Sequence, residues 1–508
     1  MAASTASRSL SGRLGTAALI LSTGAALFVF GVELINVLFY DPYEDARFLF
    51  TTAGLLEDVE IRELTYIMFG SLLVLLMLGL PLAFVTGGLG VVFIYLIGGQ
   101  VMVNIIPSRI FPMMTNSDLA AIPLFIFMAS MLERAGLIEE MFDVIYQWMG
   151  GLRGGLAAAT IIASTILAAM VGVIGAAVVT MGIIALPAML KRNYDPRIAL
   201  GSIMAGGTLG ILIPPSILAI LYAVVAQQSV GELYLGSLLP GLMLSGLYVA
   251  YVLLRTWLRP EMGPAVPPEE RISLGQKLRL LLKLVAPVIL VILVLGLLFA
   301  GIATPVEAAG IGSFGAIIVA IMHRRFNLIA LKEASVSTVK ASAMVLWIIF
   351  GASIFVGFYI LQGGQTFISD AILGTGLSPY GILFLMMVLL VILGMFLDWV
   401  GILLLAVPIF VPIIKALTFD GLFGLPAVPG DKVALWFGVI YLVNMQMSFL
   451  SPPFGYALFY IRGVTPESIS MATIFRSALV FLALQVLGLL LCILLPGIVT
   501  YLPTLVYG

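Results

Sequence analysis

Two proline pairs, Pro214-Pro215 and Pro452-Pro453, each stand inside an apolar stretch long enough to cross a lipid bilayer. The first lies in ALGSIMAGGTLGILIPPSILAILYAV and the second in WFGVIYLVNMQMSFLSPPFGYALFYIRG. A proline removes a backbone donor and clashes with the preceding turn, so a helix through either pair must open. Opened backbone survives at membrane depth only where protein, an ion or a water-lined cavity satisfies it. Ahead of the first pair, the sequence from Arg153 meets a glycine-rich break at Gly172 and Gly175 and returns to Lys191 and Arg192. That pattern predicts a helical hairpin over 152–190 dipping into the bilayer, beside a broken helix over 197–225.

Composition narrows the classes of function. The chain is 62% hydrophobic and 10% charged, against about 25% charged for an ordinary soluble protein, so an all-α polytopic membrane protein is expected. Its 24 basic and 25 acidic residues nearly balance, which leaves no basic surface for nucleic acid. Cys492 and His323 are the single cysteine and histidine, too few for a thiolate metal site or a histidine-based catalytic pair. Neither the phosphate-loop pattern nor HExxH occurs, so an enzyme is not expected, and transport would be driven by an ion gradient or run downhill.

The apolar run near residues 14–40, behind Arg8 and Arg13, exceeds the roughly 7–15 residues of a signal-peptide core. Residues 1–63 are expected to form an extra N-terminal transmembrane helix and an acidic external loop. Residues 64–257 form a first repeat with scaffold helices and an interfacial arm, residues 258–283 a cytoplasmic tether, and residues 284–508 a second repeat. In the second repeat an arm over 364–377, a hairpin over 378–414 and a broken helix over 434–462 mirror the first. Basic turns at Lys191 to Arg197, Arg255 to Lys283 and Arg324 to Lys340 mark the cytoplasmic side. Counting crossings from them gives the two repeats inverted topology, with re-entrant hairpins entering from opposite faces, as in a secondary transporter.

The candidate site follows from small residues and exposed backbone. Helix starts offer N–H groups to an anion, and helix ends offer carbonyls to a cation. Gly172, Gly175 and Ala176 at the first tip, with Thr208 and Gly210, make one candidate ion cage, to which Thr180 and Ser216 offer further hydroxyls. Asp398 is the lone acid of its apolar segment. Such a group contacts a cation, carries a proton or structures the tip. Asn444 and Gln446, with Ser448 and Ser451, bind either a ligand or the orphaned backbone around them. Glycines in these runs also serve close helix packing. Glu307, behind Thr304 and Pro305, reads as a helix cap.

Six strings, MVGVIGAAVVTMGIIALPAMLKRNYDP, LGSIMAGGTLGILIPPSILAILYAV, SVGELYLGSLLPG, GIATPVEAAG, GMFLDWVGILLLAVPIFVPI and VNMQMSFLSPPFGYALF, cover much of the chain beyond residue 64. Together they resemble the DctM-like large permease of tripartite ATP-independent periplasmic transporters. The resemblance implies an elevator-type transport domain and no covalent cofactor, with sodium as the coupling ion. It also implies a small four-helix membrane subunit and a periplasmic solute-binding protein as partners, and a small organic anion, commonly a carboxylate, as solute. Carried over by motif, one sodium site falls on Gly172, Gly175, Ala176, Thr208 and Gly210. A second falls on Gly394, Asp398, Gly401 and Ser451. Substrate is expected near Pro214, Pro215, Ser216, Asn444, Pro452 and Pro453. The chain departs from the usual pattern at Gly175-Ala176, where many members carry a serine pair, and at Ser451, where threonine is commoner.

The function expected is a multi-pass permease subunit of the bacterial inner membrane, importing a small organic acid down a sodium gradient. The alternatives are an ion channel or uniporter, or a structural membrane subunit that does not transport.

Overall fold

The computed structural model describes residues 59–171, 174–395, 397–421, 424–452 and 455–508. The expected N-terminal helix before residue 59, Gly172 and Pro453 lie outside the described residues. Among the described residues there are helices and no strands, and eight helices are long and apolar enough to cross a membrane.

In chain order the helices begin with α1 (Ile61–Met77), α2 (Leu82–Met102), α3 (Ile105–Met114), α4 (Ala121–Arg134) and α5 (Leu137–Met149). The glycine-rich region supplies α6 (Gly155–Val171), α7 (Ile174–Lys191), α8 (Pro196–Thr208) and α9 (Ile217–Ala226). Next come α10 (Val230–Leu258), α11 (Leu274–Phe299), α12 (Pro305–Met322), α13 (Leu328–Leu361) and α14 (Gly364–Leu373). The chain closes with α15 (Pro379–Gly394), α16 (Trp399–Lys415), α17 (Val433–Leu450), α18 (Tyr456–Val464), α19 (Met471–Leu494) and α20 (Gly497–Tyr507).

Local chemistry sets many of these boundaries. Thr304 and Glu307 form a reciprocal capping box at the start of α12, with Thr304 N donating to Glu307 Oε2 at 2.8 Å and Glu307 N donating to Thr304 Oγ at 3.3 Å, the structural role the sequence suggests. Asp195 accepts from Arg197 N at 2.7 Å, with Pro196 at the first position of α8. Ser273 and Gln276 box the start of α11.

The chain divides into two compact units. Of the described residues, the smaller comprises 59–115, 344–375 and 397–405. Its helices meet on small residues: a Cβ on Gly351 would lie 2.6 Å from the Ala83 carbonyl oxygen, and one on Gly90 would strike Ile354. Phe69 stands edge-on to Phe355 and Tyr359, whose hydroxyl is 2.8 Å from Thr65 Oγ.

The larger unit comprises residues 116–343, 376–395 and 406–508. α4 and α12 seat Gly312 against Met128, and Ser313 donates to the Leu124 carbonyl at 2.7 Å. At its centre run the two interrupted helices. Every residue from Ile198 to Ala223 is buried, as is all of α17 except Met447. The backbone of the first break is thus enclosed by protein rather than by lipid, which is the condition under which it persists.

Residues 258–283, expected as a plain tether, are fastened down over much of their length. Gly154 N donates to Gly263 O at 2.8 Å, Asp195 N to Met262 O at 3.0 Å, and Val266 N to Gly150 O at 2.8 Å. Met262 and Val266 are buried, Arg192 pairs with Glu270, and α11 begins already at Leu274. Because residues 262 and 263 bond to both outer ends of α6–α7, those ends lie side by side and the two helices form a hairpin. Tyr380 OH, donating to the Asp420 carbonyl at 2.8 Å, brings the outer ends of α15 and α16 together in the same way.

Candidate functional site

The first break begins where α8 ends at Thr208. A single 3-10 turn, Leu209–Ile211, follows, and regular helix resumes only at Ile217. Ser216 bridges the gap: its hydroxyl donates to the Ile211 carbonyl at 2.6 Å and accepts from Ala219 N at 3.3 Å. Tyr234 OH, from α10, donates to the Ser216 carbonyl at 3.1 Å. Pro214 and Pro215 sit within this braced loop, wholly buried.

Both arms of the first hairpin close on the glycines just before the break. A Cβ on Gly206 would lie 2.8 Å from Ser164 of α6, and one on Gly207 would lie 2.4 Å from Val178 Cγ2 of α7. Only residues without a side chain allow this approach, so Gly206-Gly207 serves close packing here. The next residue, Thr208, donates to the Ala205 carbonyl at 2.8 Å and accepts from Gln485 Nε2 at 3.1 Å. Its hydroxyl proton is therefore used within its own helix, while its oxygen faces α19. Near the tip, Gly175 faces the Tyr460 ring, which a Cβ would meet at 3.0 Å. The hairpin thus touches the first broken helix and the far half of the second. Thr180 points elsewhere, toward Glu133 Oε1 at 3.4 Å.

The second break runs from Ser451 to Gly455. Ser451 donates to the Met447 carbonyl at 2.8 Å, and Gly455 N donates to Ser451 O at 2.9 Å. Gly455 has no room for a side chain, since its Cβ would lie 2.5 Å from the Phe449 carbonyl oxygen. It also leaves α18 without a side-chain cap, whereas Ser216 caps α9. Asn444 faces α15, donating to the Met387 carbonyl at 2.9 Å. Among the described residues its Oδ1 has no partner, and neither amide atom of the fully buried Gln446 is hydrogen-bonded. The two broken helices meet at Tyr222, which rests on Gly438 and donates to the Ala434 carbonyl at 2.9 Å.

The larger unit therefore holds Gly175, Ala176, Thr208, Gly210, Pro214, Pro215, Ser216, Gly394, Asn444, Ser451 and Pro452. Asp398 and Gly401 belong to the smaller unit. There Asp398 Oδ2 accepts from Val400 N at 3.3 Å at the start of α16, and Gly401 is packed on Leu82. Among the described residues no group of three acidic, cysteine or histidine side chains is placed to hold a metal ion. The residues around the breaks present carbonyl, amide and hydroxyl oxygens, a donor set that suits hard cations.

The two interrupted helices and the glycine-packed hairpin thus lie in a chain rich in helices of spanning length. The family described as tripartite ATP-independent periplasmic transporter, DctM component, matches residues 69–498. The chain belongs to this family. It is a transporter subunit and not an enzyme. Among relatives, the C4-dicarboxylate large permease DctM of Rhodobacter capsulatus is 30% identical over 423 residues, covering 80% of this chain and 92% of the relative. The sialic acid large permease SiaM of Vibrio cholerae is 27% identical, covering 85% and 97%. The isethionate permease DctMQ of Oleidesulfovibrio alaskensis is 29% identical, covering 86% and 65%. In overall fold the chain is similar to the Alcanivorax borkumensis YdaH transporter, with a TM-score of 0.52, 16% identity and coverage of 78% and 88%. It is also similar to Neisseria gonorrhoeae MtrF, with a TM-score of 0.55, 12% identity and coverage of 78% and 84%.

Two groups beside the breaks carry no signal in the sequence. Gln485 is a single amide in an otherwise apolar helix, and only packing brings it to Thr208. Met387 contributes its carbonyl oxygen, a group every residue possesses.

Proposed function

We propose that this chain is the solute-translocating subunit of a sodium-driven importer of a small organic acid, a carboxylate, in the bacterial inner membrane. A periplasmic solute-binding protein delivers the anion, and a small four-helix membrane subunit enlarges the scaffold. In this reading the two halves are inverted repeats, both hairpins are re-entrant, and the hairpins and broken helices move as a rigid body against the scaffold in an elevator cycle.

The observation that carries the reading is that the first hairpin packs on both interrupted helices, beside buried amide atoms that no group among the described residues satisfies. A carboxylate calls for N–H donors, which the uncapped start of α18 and Gln446 Nε2 provide. Sodium calls for oxygens. Thr208, the backbone at Gly210 and the first tip supply one set, and Gly394 and Ser451 contribute to a second. The organic acids named for two relatives, C4-dicarboxylate and sialic acid, support the solute class.

Reconstitution with both partner proteins, followed by solute uptake with and without an inward sodium gradient, tests the proposal. Accumulation should require the gradient. Equal uptake in its absence rejects sodium coupling, and currents characteristic of an open pore would favour a channel.

A further inference from the structure

A second site lies away from both breaks, where the start of α8, the end of α10 and the second turn of α19 converge. A cavity of about 280 Å³ there is lined by Arg197, Arg255 and Arg476 together with Tyr251, Phe481 and Leu479. Among the described residues none of the three arginines forms an ion pair, and the buried Arg255 Nε has no hydrogen-bond partner. Asp195, two residues before Arg197, is turned to its own helix and accepts from Arg197 N. Three guanidinium groups around one cavity repel one another unless an anion sits between them, and each carries donors arranged to fork onto oxyanions.

We propose that this cavity binds the phosphate group of an anionic phospholipid. Arg197 and Arg255 belong to basic turns that the charge distribution assigns to the cytoplasmic side, and basic pockets between spanning helices on that side suit anionic headgroups. Arg476 lies five residues into α19, a helix of spanning length, at the boundary where polar sequence gives way to apolar. Beside it Leu479 and Val480 are 52% and 40% exposed, a surface for an acyl chain directly next to the charges. Phe481 and Tyr251 stand edge to face at 5.5 Å and close the cavity wall. A soluble anion would use the arginines and leave that apolar rim without purpose. The bound lipid would tie the first broken helix to α10 and α19.

The test compares thermal melting of the purified full-length protein in detergent with added phosphatidylglycerol, phosphatidylcholine of matched chains, or inorganic phosphate, alongside native mass spectrometry. Phosphatidylglycerol should raise the melting temperature by a few degrees and remain bound, and phosphatidylcholine should do neither. The R197Q/R255Q/R476Q variant should lose the shift. Should that variant fold poorly, the exposed Arg476→Gln alone should weaken apparent phosphatidylglycerol affinity about tenfold. Equal shifts from both lipids, or an unchanged shift in the variants, would overturn the proposal. A full shift from phosphate with none from phosphatidylglycerol would overturn the lipid assignment in favour of a soluble anion.

Discussion

Gln485 donates from Nε2 to the Thr208 hydroxyl at 3.1 Å, joining α19 to the last helical residue before the first break. Both side chains are fully buried, and Gln485 Oε1 already lacks a partner. Leaving a buried polar group unpaired costs about 1–3 kcal/mol, whereas removing both partners of a bond together costs far less. T208V should therefore lower stability by an amount in that range, and T208V/Q485L should recover most of it. A double-mutant cycle by thermal melting measures the coupling. If the single and double variants melt alike, the bond does not hold the break in place.

Gly207 offers a sharper test of the hairpin contact. A Cβ there would lie 2.4 Å from Val178 Cγ2 and 3.2 Å from the Val178 backbone nitrogen. The Val178 side chain is stiff at χ1 and cannot swing clear, so G207A must part α7 from α8. Overpacking of this kind costs about 1–3 kcal/mol. Solute uptake by G207A should fall while membrane insertion persists, and G207A/V178A should regain part of the lost transport. Wild-type uptake by G207A would show that the close approach is dispensable.

The sequence discloses the two breaks because each is a proline pair: α7, α10, α11 and α16 run on through single prolines, whereas Pro214-Pro215 and Pro452-Pro453 each remove two adjacent backbone donors. The capping box at Thr304 and Glu307 is legible because it is complete within four residues. What escapes a reading of residue types is backbone chemistry between distant segments. The 258–283 stretch is Pro-rich and polar, the composition of a connector, yet its grip on the first hairpin comes from main-chain bonds at Gly154, Asp195 and Gly150. Thr180 is similar. Its hydroxyl has the chemistry of an ion ligand, but the face of α7 on which it lies turns it toward Glu133.

Asp143, on the arm helix α5, gives a pH signature outside the spanning segments. Although its side chain is exposed, partial desolvation raises its carboxyl above the ordinary carboxylate value. Lys283, which pairs with Glu140 at 2.7 Å, pulls it down less strongly, and Glu140 adds to the rise. A raised pKa means that the folded protein holds this proton more tightly than the unfolded chain does. The group's relative stabilisation is thus complete below the unfolded pKa. It is lost as pH climbs through the window between the unfolded value and the raised folded one. D143N should raise the melting temperature at neutral pH and leave it unchanged below the ordinary carboxylate range. Equal stabilisation at both pH values would assign the effect to something other than ionisation.

Asn444 and Gln446, two residues apart on α17, should separate structural from functional amides. Asn444 Nδ2 satisfies the Met387 carbonyl on α15 at 2.9 Å, so N444A should destabilise by about 1–2 kcal/mol through the lost bond and the orphaned carbonyl. Gln446 is as deeply buried but, among the described residues, bonds to no protein group through either amide atom. An apolar side chain of similar length removes that unsatisfied burden, so Q446L should match or exceed the wild-type melting temperature. If the amide instead meets solute or sodium, Q446L should lose most uptake despite its stability, with the loss appearing as a raised KM for whichever of the two it contacts. Melting curves and uptake titrated separately against solute and sodium make the distinction. Full transport by Q446L would remove this amide from the proposed site, and a marked drop in melting temperature would show that it is held by contacts within the protein.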